Sequence, residues 1–470
     1  MPLMTAKLQK SKYIGDKAFY KMVLTIAVPI MVQNGISNFV SLLDNLMIGR
    51  VGENATNALS GVAIANQLMF VFFLLIFGAT AGVGIFTAQY HGLGDVKGVR
   101  ETFRFKLIAN TILCMLSILV FYRYSEPLIS LFLKGEGTPE DAAETLEIGL
   151  SYMHIMLAGL IPVGLCQAYS GTLRDTGQTR VPMIASLIAI MVNLTGNALL
   201  IYGLFGLPAL GAAGAAIATV ISRFVELGVL VVYTETHKEQ HPFIVGAFTH
   251  FTVPGHMIKK YILRSLPLMA NETLWALGNT VMSQSYSYRS LDAVAALNIQ
   301  STIWNLLGVA FLAMGEAVGI VVGQILGSGD MDKAKDTARK MIAFTVFCGV
   351  IFGVGMLVVA PFFPMLYNTT DTIREMASSF IFITGVFMPS VSCMHASYFT
   401  IRSGGNTLVT MLFDSVFVWA VSVPTAFVLS RFTQLSVFYM LLTIQILDLI
   451  KCVVGILLVR SGIWAKNIVK

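Results

Sequence analysis

Carboxylates are rare and costly inside apolar helices, so each one in this sequence is a candidate for chemistry. In FVSLLDNLMIGRVG, residues 39–52, Asp44 closes a long apolar run just before a Gly-Arg-Val-Gly turn. On a helix, Gln33, Ser37, Ser41 and Asp44 share one face, with Asn34, Asn38 and Asn45 on an adjoining strip. Such a face must point into a bundle or toward water, because unpaired polar groups facing lipid are penalised. Pro29 precedes this stretch and permits a bend by leaving a backbone carbonyl free. In MVNLTGNALL, Asn193 and Asn197 lie one turn apart on one face, and AAIATVIS adds Thr219. One carboxylate among neutral amide, hydroxyl and carbonyl oxygens suits a hard monovalent cation. The same pocket would suit a proton, since low-polarity surroundings disfavour a bare carboxylate. Two plainer readings stay open: Asp44 as a helix-packing or capping carboxylate near the outer surface, and the two Asn residues as interhelical hydrogen-bonding groups.

The second half of the chain has its own acids. Glu272, in PLMANETLWALGNT, follows Pro267 and forms a polar and aromatic stripe with Trp275 and Asn279. Asp414 lies in MLFDSVFVWAV and Glu316 in LAMGEAVGIVVG. Each of the three is a candidate for binding a cation or a proton; Glu272 is preferred for a substrate or second cation site, Asp414 ranks below it, and for Glu316 a hydrogen bond to another helix is the plainer reading. Arg223 with Glu226, and Asp448 with Lys451, are each three apart and read as self-neutralising pairs. His237, His241, His250 and His256 are scattered among charged residues and read as a solvated connection. Neither a nucleophile–base arrangement nor a phosphate-binding Gly-Lys-Ser/Thr loop is present, which argues against an enzyme and against ATP hydrolysis in this chain.

The elements that must position these groups are membrane helices. The 470 residues are 56% hydrophobic and 12% charged, with a mean hydropathy of +0.76, outside the range of soluble domains. Twelve apolar spans are expected at 22–48, 58–88, 102–122, 146–172, 182–202, 213–234, 257–287, 293–326, 338–360, 374–400, 408–429 and 436–459. The fold class is all-α and polytopic. About 23 Lys and Arg fall on the side of the termini and about six on the other, namely Arg50, Arg123, Lys134, Arg289, Arg374 and Arg431. That asymmetry places both termini in the cytoplasm and explains the net charge of +6 without nucleic acid. No cleavable signal peptide is apparent, so the first span is expected to stay. The five cysteines all lie in apolar segments, without the spacing of a metal site or a disulfide framework.

The chain also repeats itself. VGIFTAQYHGLGDVKGVRETFR at 83–104 matches VGIVVGQILGSGDMDKAKDTAR at 318–339, and TLRDTGQT at 172–179 matches TIRSGGNT at 400–407. Two six-helix lobes follow, 1–235 and 257–470, joined by a linker at 236–256 and related by a pseudo-twofold axis along the membrane normal. Paired bundles of this kind enclose a cleft, which points to a transporter. The Gly-x-Gly-Asp elements fall in turns after helices and are expected to cap and bend them.

These spans, the duplicated VGxxxxQxxGxGD and Arg-x-x-Gly-x-Thr motifs, and Pro29 followed by Asp44 resemble the multidrug and toxic compound extrusion (MATE) family over essentially the whole chain. The resemblance implies two lobes forming a V-shaped cleft that rocks between outward- and inward-open states. It also implies export of small cationic or amphipathic organic compounds against a sodium or proton gradient. Asp44 falls at the first-helix acid that serves cation coupling, Asn193 and Asn197 on the fifth-helix pair, and Thr219 on a sixth-helix oxygen ligand. Asn197 stands where some members have Asp. Glu272 resembles the seventh-helix acid of NorM-like and eukaryotic branches, whereas SVSCMHASYF offers no tenth-helix acid, leaving Asp414 to act from the next helix. The expected setting is the bacterial inner membrane, as a monomer in contact with lipid, with no cofactor beyond the coupling sodium or proton. The competing reading is a flippase for lipids or lipid-linked oligosaccharides, which would require a cationic cavity. The central acids outnumber the unpaired central bases, which favours cationic cargo.

Overall fold

A computed structural model describes residues 12–49, 55–133, 138–249 and 251–470. Lys7, Lys10, Arg50, Lys134 and His250 lie outside the described residues. The expected spans appear as helices: α1 (Lys17–Ile48), α2 (Ala55–Leu93), α3 (Val96–Ser130), α4 (Pro139–Asp175), α5 (Arg180–Tyr202) and α6 (Gly211–Thr236) in the first half. The second half has α7 (Gly255–Ser287), α8 (Leu291–Ser328), α9 (Met331–Val359), α10 (Asp371–Ser403), α11 (Thr407–Phe432) and α12 (Val437–Ser461). Eleven of these are long and apolar enough to cross a membrane. The other, α7, carries Lys259, Lys260 and Arg264 in its first half and Asn271, Glu272 and Asn279 beyond. Lys259 and Lys260 are exposed, whereas Asn271 is buried against the rest of the protein. The protein is a multi-pass membrane protein.

The duplicated motifs do the same work twice. Gly94 and Gly329 adopt the left-handed backbone that ends α2 and α8. The following Asp95 and Asp330 then cap α3 and α9, accepting from Gly98 N and Lys333 N, each at 3.0 Å. Pro29 and Pro267 stand equally far into α1 and α7. In α1, the carbonyl of Thr25 that Pro29 leaves free accepts a hydrogen bond from Thr179 Oγ1 at 3.3 Å.

Each half is built on its fourth helix. α4 packs against α2, α3 and α6, and α10 packs against α8, α9 and α12. The first helix of each half then crosses to the other: α1 lies on α8 and α7 lies on α2. Gly78 and Gly82 let the α7 backbone come close, beside Met269 and Ser265, and Ala313 and Ala317 occupy the corresponding positions of α8 facing α1. Small residues matter here because helix association in lipid rests on van der Waals contact and short hydrogen bonds. Ser265 Oγ donates to Ala79 O at 3.1 Å.

At the face where the termini lie, α2 and α8 cross. Gln89 Nε2 donates to the carbonyl of Ser403 at 3.0 Å, and Gln324 Nε2 to that of Asp175 at 2.9 Å. These are the same residue pair in the two repeats, so the bonds are related by the pseudo-twofold axis. Gly92 and Gly327, also equivalent, touch the backbones of Gln324 and Gln89. The segment after α12 seals this crossing. Trp464 is fully buried, Asn467 donates to the carbonyls of Leu326 and Gly327, and Ile468 N donates to Gln89 Oε1 at 2.9 Å.

The linker between the halves departs from the solvated connection expected for it. Arg100 and Arg104 of α3 donate to the carbonyls of Pro242, Phe243, Gly246 and Ala247. His241 is buried beside Tyr233 and Phe243. The physical reason is that a turn-rich segment exposes many carbonyls, and two arginines on the adjoining helix satisfy them.

Candidate functional site

The first-half acid has the neighbours expected of it. Asn197 Nδ2 donates to Asp44 Oδ1 at 2.6 Å, and the same amide reaches Asn193 Oδ1 at 3.4 Å. Asn193 Nδ2 in turn donates to Thr219 Oγ1 at 3.1 Å. α1, α5 and α6 thus bring Asp44, Asn193, Asn197 and Thr219 into one chain of contacts. Asn197 Oδ1 and Gln33 Oε1 are buried acceptors without a donor among the described residues. A carboxylate beside an unsatisfied amide oxygen can take a proton or a monovalent cation, because either supplies what the oxygens lack. Arg223 acts electrostatically on Asp44, but its guanidinium is engaged by Glu226 at 2.8 Å, as expected for that pair. Ser41 turns back to its own helix, donating to the Ser37 carbonyl.

The second-half acids are arranged differently. Asp414 accepts from Asn271 Nδ2 at 3.2 Å and is ion-paired to Lys451 of α12 at 3.1 Å. Lys451 is farther from Asp448, at 4.0 Å, so the expected Asp448–Lys451 pair is secondary. The i,i+3 spacing identified a partner on the same helix, whereas packing presents a nearer one from α11. Two π-helical turns, Leu412–Val416 and Val418–Ser422, swing Asp414 into this position. Glu272 lies within electrostatic reach of Arg402 and of the like-charged Asp414, and among the described residues it forms no ion pair. Trp275 and Asn279 do not join it. Trp275 is on the exposed side of α7, and Asn279 donates to the Trp275 carbonyl of its own helix at 3.0 Å.

Between the halves lies a central cavity of about 80 Å³, floored by the α2–α8 crossing. Its charged lining is Arg174, Asp175, Glu316 and Arg402, residues that hydropathy assigns to connections or to helix packing. α4 and α10 continue past their apolar stretches to Asp175 and Ser403, which carries both arginines inward. Arg174 pairs with Glu316 of the other half at 3.3 Å. Lys106, fully buried, pairs with Asp175 at 2.7 Å. Arg402 lies over the Phe399 ring, 5.1 Å from its centroid. Against the expectation that central acids outnumber unpaired central bases, the lining holds two acids, Asp175 and Glu316, and two arginines, of which Arg174 is paired; Asp44 and Asp414 are not among the lining residues. The repeated motifs carried the signal, since each places an Arg in the same slot.

The family model designated MatE matches residues 29–199 and 267–428. The chain belongs to the MatE family. Among relatives, a probable multidrug resistance protein NorM of Thermotoga maritima is 25% identical over 455 residues, covering 96% of this chain and 94% of its own. A probable multidrug resistance protein YoeA of Bacillus subtilis is 25% identical over 442 residues, covering 93% and 91%. Among solved structures, a MATE transporter crystallised in the straight conformation superposes with a TM-score of 0.83 at 19% identity, covering 96% of this chain and 97% of the other. That likeness carries the fold, twelve helices in two lobes, which this MatE chain shares.

Proposed function

We propose that this MatE protein is a secondary active antiporter that exports cationic or amphipathic organic compounds in exchange for sodium ions or protons. Its termini face the cytoplasm, it works in the inner membrane as a monomer, and it uses no cofactor. The names of its relatives support multidrug efflux. The observation that carries the coupling is the Asp44 carboxylate, held at 2.6 Å by a neutral amide, with Arg223 committed to Glu226.

α1 is the element through which occupancy acts. It packs on α5, which supplies Asn193 and Asn197, and on α8 of the other half, where Asn38 Nδ2 donates to the Asn305 carbonyl at 3.1 Å. A cation that draws Asp44 toward α5 works against the α1–α8 contact, and the Pro29 interruption gives α1 a place to bend. The cation drives turnover to the extent that it binds the two arrangements unequally. The cavity is too small for a drug-sized ligand, which needs roughly 300 Å³ or more, so loading requires the halves to separate.

The test is flux of a fluorescent organic cation in proteoliposomes under imposed sodium and proton gradients. Flux under one gradient, lost in Asp44→Asn at normal reconstitution, supports the reading and names the ion. Wild-type flux in the variant would sink it. A flippase is the second reading, favoured by the arginines in the cavity; it predicts gradient-independent lipid movement in the same vesicles.

A further inference from the structure

The pseudo-twofold axis makes the central cavity a controlled comparison. Arg174 and Arg402 hold the same slot of the repeated Thr-x-Arg motif and both line the cavity. Glu316, two residues before the repeated Val-Gly-Ile of α8, neutralises Arg174 across the interface. The equivalent position of α2, two residues before Val83, is Ala81, which also lines the cavity. The acid that would complete the second pair is thus replaced by a methyl group.

Arg402 is only 9% exposed, and among the described residues no carboxylate forms an ion pair with it. Glu272 and Asp175 act on it from beyond ion-pair distance, and Asp175 is committed to Lys106 at 2.7 Å. Tyr398 is its other polar neighbour. A guanidinium so withdrawn from water and without a contacting acid is costly unless something completes it, and its fork matches a carboxylate. Phe77, Ile85, Ile320 and Phe399 give the same cavity an apolar wall.

We propose that Arg402 is the anion-receiving arm of the central cavity, and that this protein takes amphipathic organic compounds bearing a carboxylate, zwitterions among them, with their apolar body against the aromatic wall. The proposal rests on the export reading and narrows its substrate class. It also assigns the asymmetry a purpose: Ala81 leaves free on one side what Glu316 occupies on the other.

The experiment compares two forms of one rhodamine dye, the free carboxylic acid and its methyl ester, binding to purified protein in detergent by fluorescence polarisation. Arg402→Gln is expected to weaken the acid about tenfold while changing the ester less than about twofold, the scale of one charge-assisted contact. Ala81→Glu, which leaves Arg402 in place and restores the twofold-related acid, is expected to do the same. Equal effects on both dyes, no effect on either, or failure of the wild type to bind the acid would each overturn the assignment. Ester flux under the gradients described above is scored separately, so the export reading can survive loss of this one.

Discussion

The two halves share helices, turns, crossing contacts and even the bonds of Gln89 and Gln324, yet they treat their buried acids in opposite ways. In the first half, Asp44 is hydrogen-bonded by the neutral Asn197 amide and forms no ion pair among the described residues. In the second, Asp414 carries a fixed counter-charge, Lys451, which is 5% exposed in its side chain. A site that already owns a cation has little to gain from another, whereas one made of amides and a hydroxyl is completed by a mobile ion. Duplication has therefore left one lobe with a carboxylate held by an amide and the other with a carboxylate that carries a fixed counter-charge.

Removing each acid separates these roles. Asp44→Asn should abolish gradient-driven flux while leaving thermal stability close to wild type, because the substituted amide keeps the size of the side chain and strands no base. Asp414→Asn should do the reverse. It leaves the buried Lys451 ammonium with only the more distant Asp448, at 4.0 Å, a loss of up to about 3–5 kcal/mol, the cost of removing one member of a buried pair. Thermal unfolding in detergent measures it, and Asp414→Asn combined with Lys451→Met should recover most of the loss. If Asp414→Asn leaves the melting temperature unchanged and stops transport, the contrast between the halves is wrong.

The crossing at the terminal face tests where the halves are alike. A methyl group on Gly92 would overlap the Gln324 carbonyl, and one on Gly327 that of Gln89. Backbone is on the receiving side in both, so neither can be absorbed by a rotamer change. Gly92→Ala and Gly327→Ala should each pry this face apart, with comparable lengthening of a spin-label distance between the ends of α2 and α10. Unequal responses would show that the twofold relation fails at the interface where it is drawn most closely.

A smaller contrast lies at the hinges. Thr179 Oγ1 donates to the carbonyl freed by Pro29, but the equivalent hydroxyl of Thr407 is buried without a partner among the described residues. Thr179→Val should cost about 1 kcal/mol of stability by deleting a made bond. Thr407→Val should be neutral or slightly stabilising, because an unsatisfied hydroxyl is replaced by an apolar group of the same shape. Parallel thermal melts decide it, and equal losses would mean that Thr407 has a partner after all.

How much of this could be read from the chain follows from which forces hydropathy records. The spans and their order were legible because lipid demands apolar length, and the Asp44 cluster because Asn193 and Asn197 sit one turn apart. The cavity arginines were hidden: polar residues beside glycines read as connections, although α4 and α10 carry them back into the protein. Glu316 was legible as a partner for another helix, but Arg174 as that partner was not, since the contact spans two halves of the chain. The π-helical turns of α11 leave no periodic trace, so the rotation that brings Asp414 to Lys451 had no signal in sequence.

The smallest expected effect concerns the docked linker, a feature for which the repeat supplies no counterpart. Burial lowers the His241 imidazole from its ordinary value, with His237 adding to the shift, and its Nε2 has no hydrogen-bond partner among the described residues. The docked segment therefore favours the neutral ring. Its contribution is fully present above the ordinary imidazole range, near 6.5, and declines as pH falls below that range toward the lowered value. Amide hydrogen exchange across residues 237–249 should accelerate on going from neutral to mildly acidic pH, after correction for intrinsic rates. His241→Phe keeps an aromatic ring between Tyr233 and Phe243 and cannot be protonated, so it should remove the pH dependence and leave the docking intact. If the variant retained the dependence, the sensitivity would belong to another group on that face, and the arginine–carbonyl contacts alone would hold the linker.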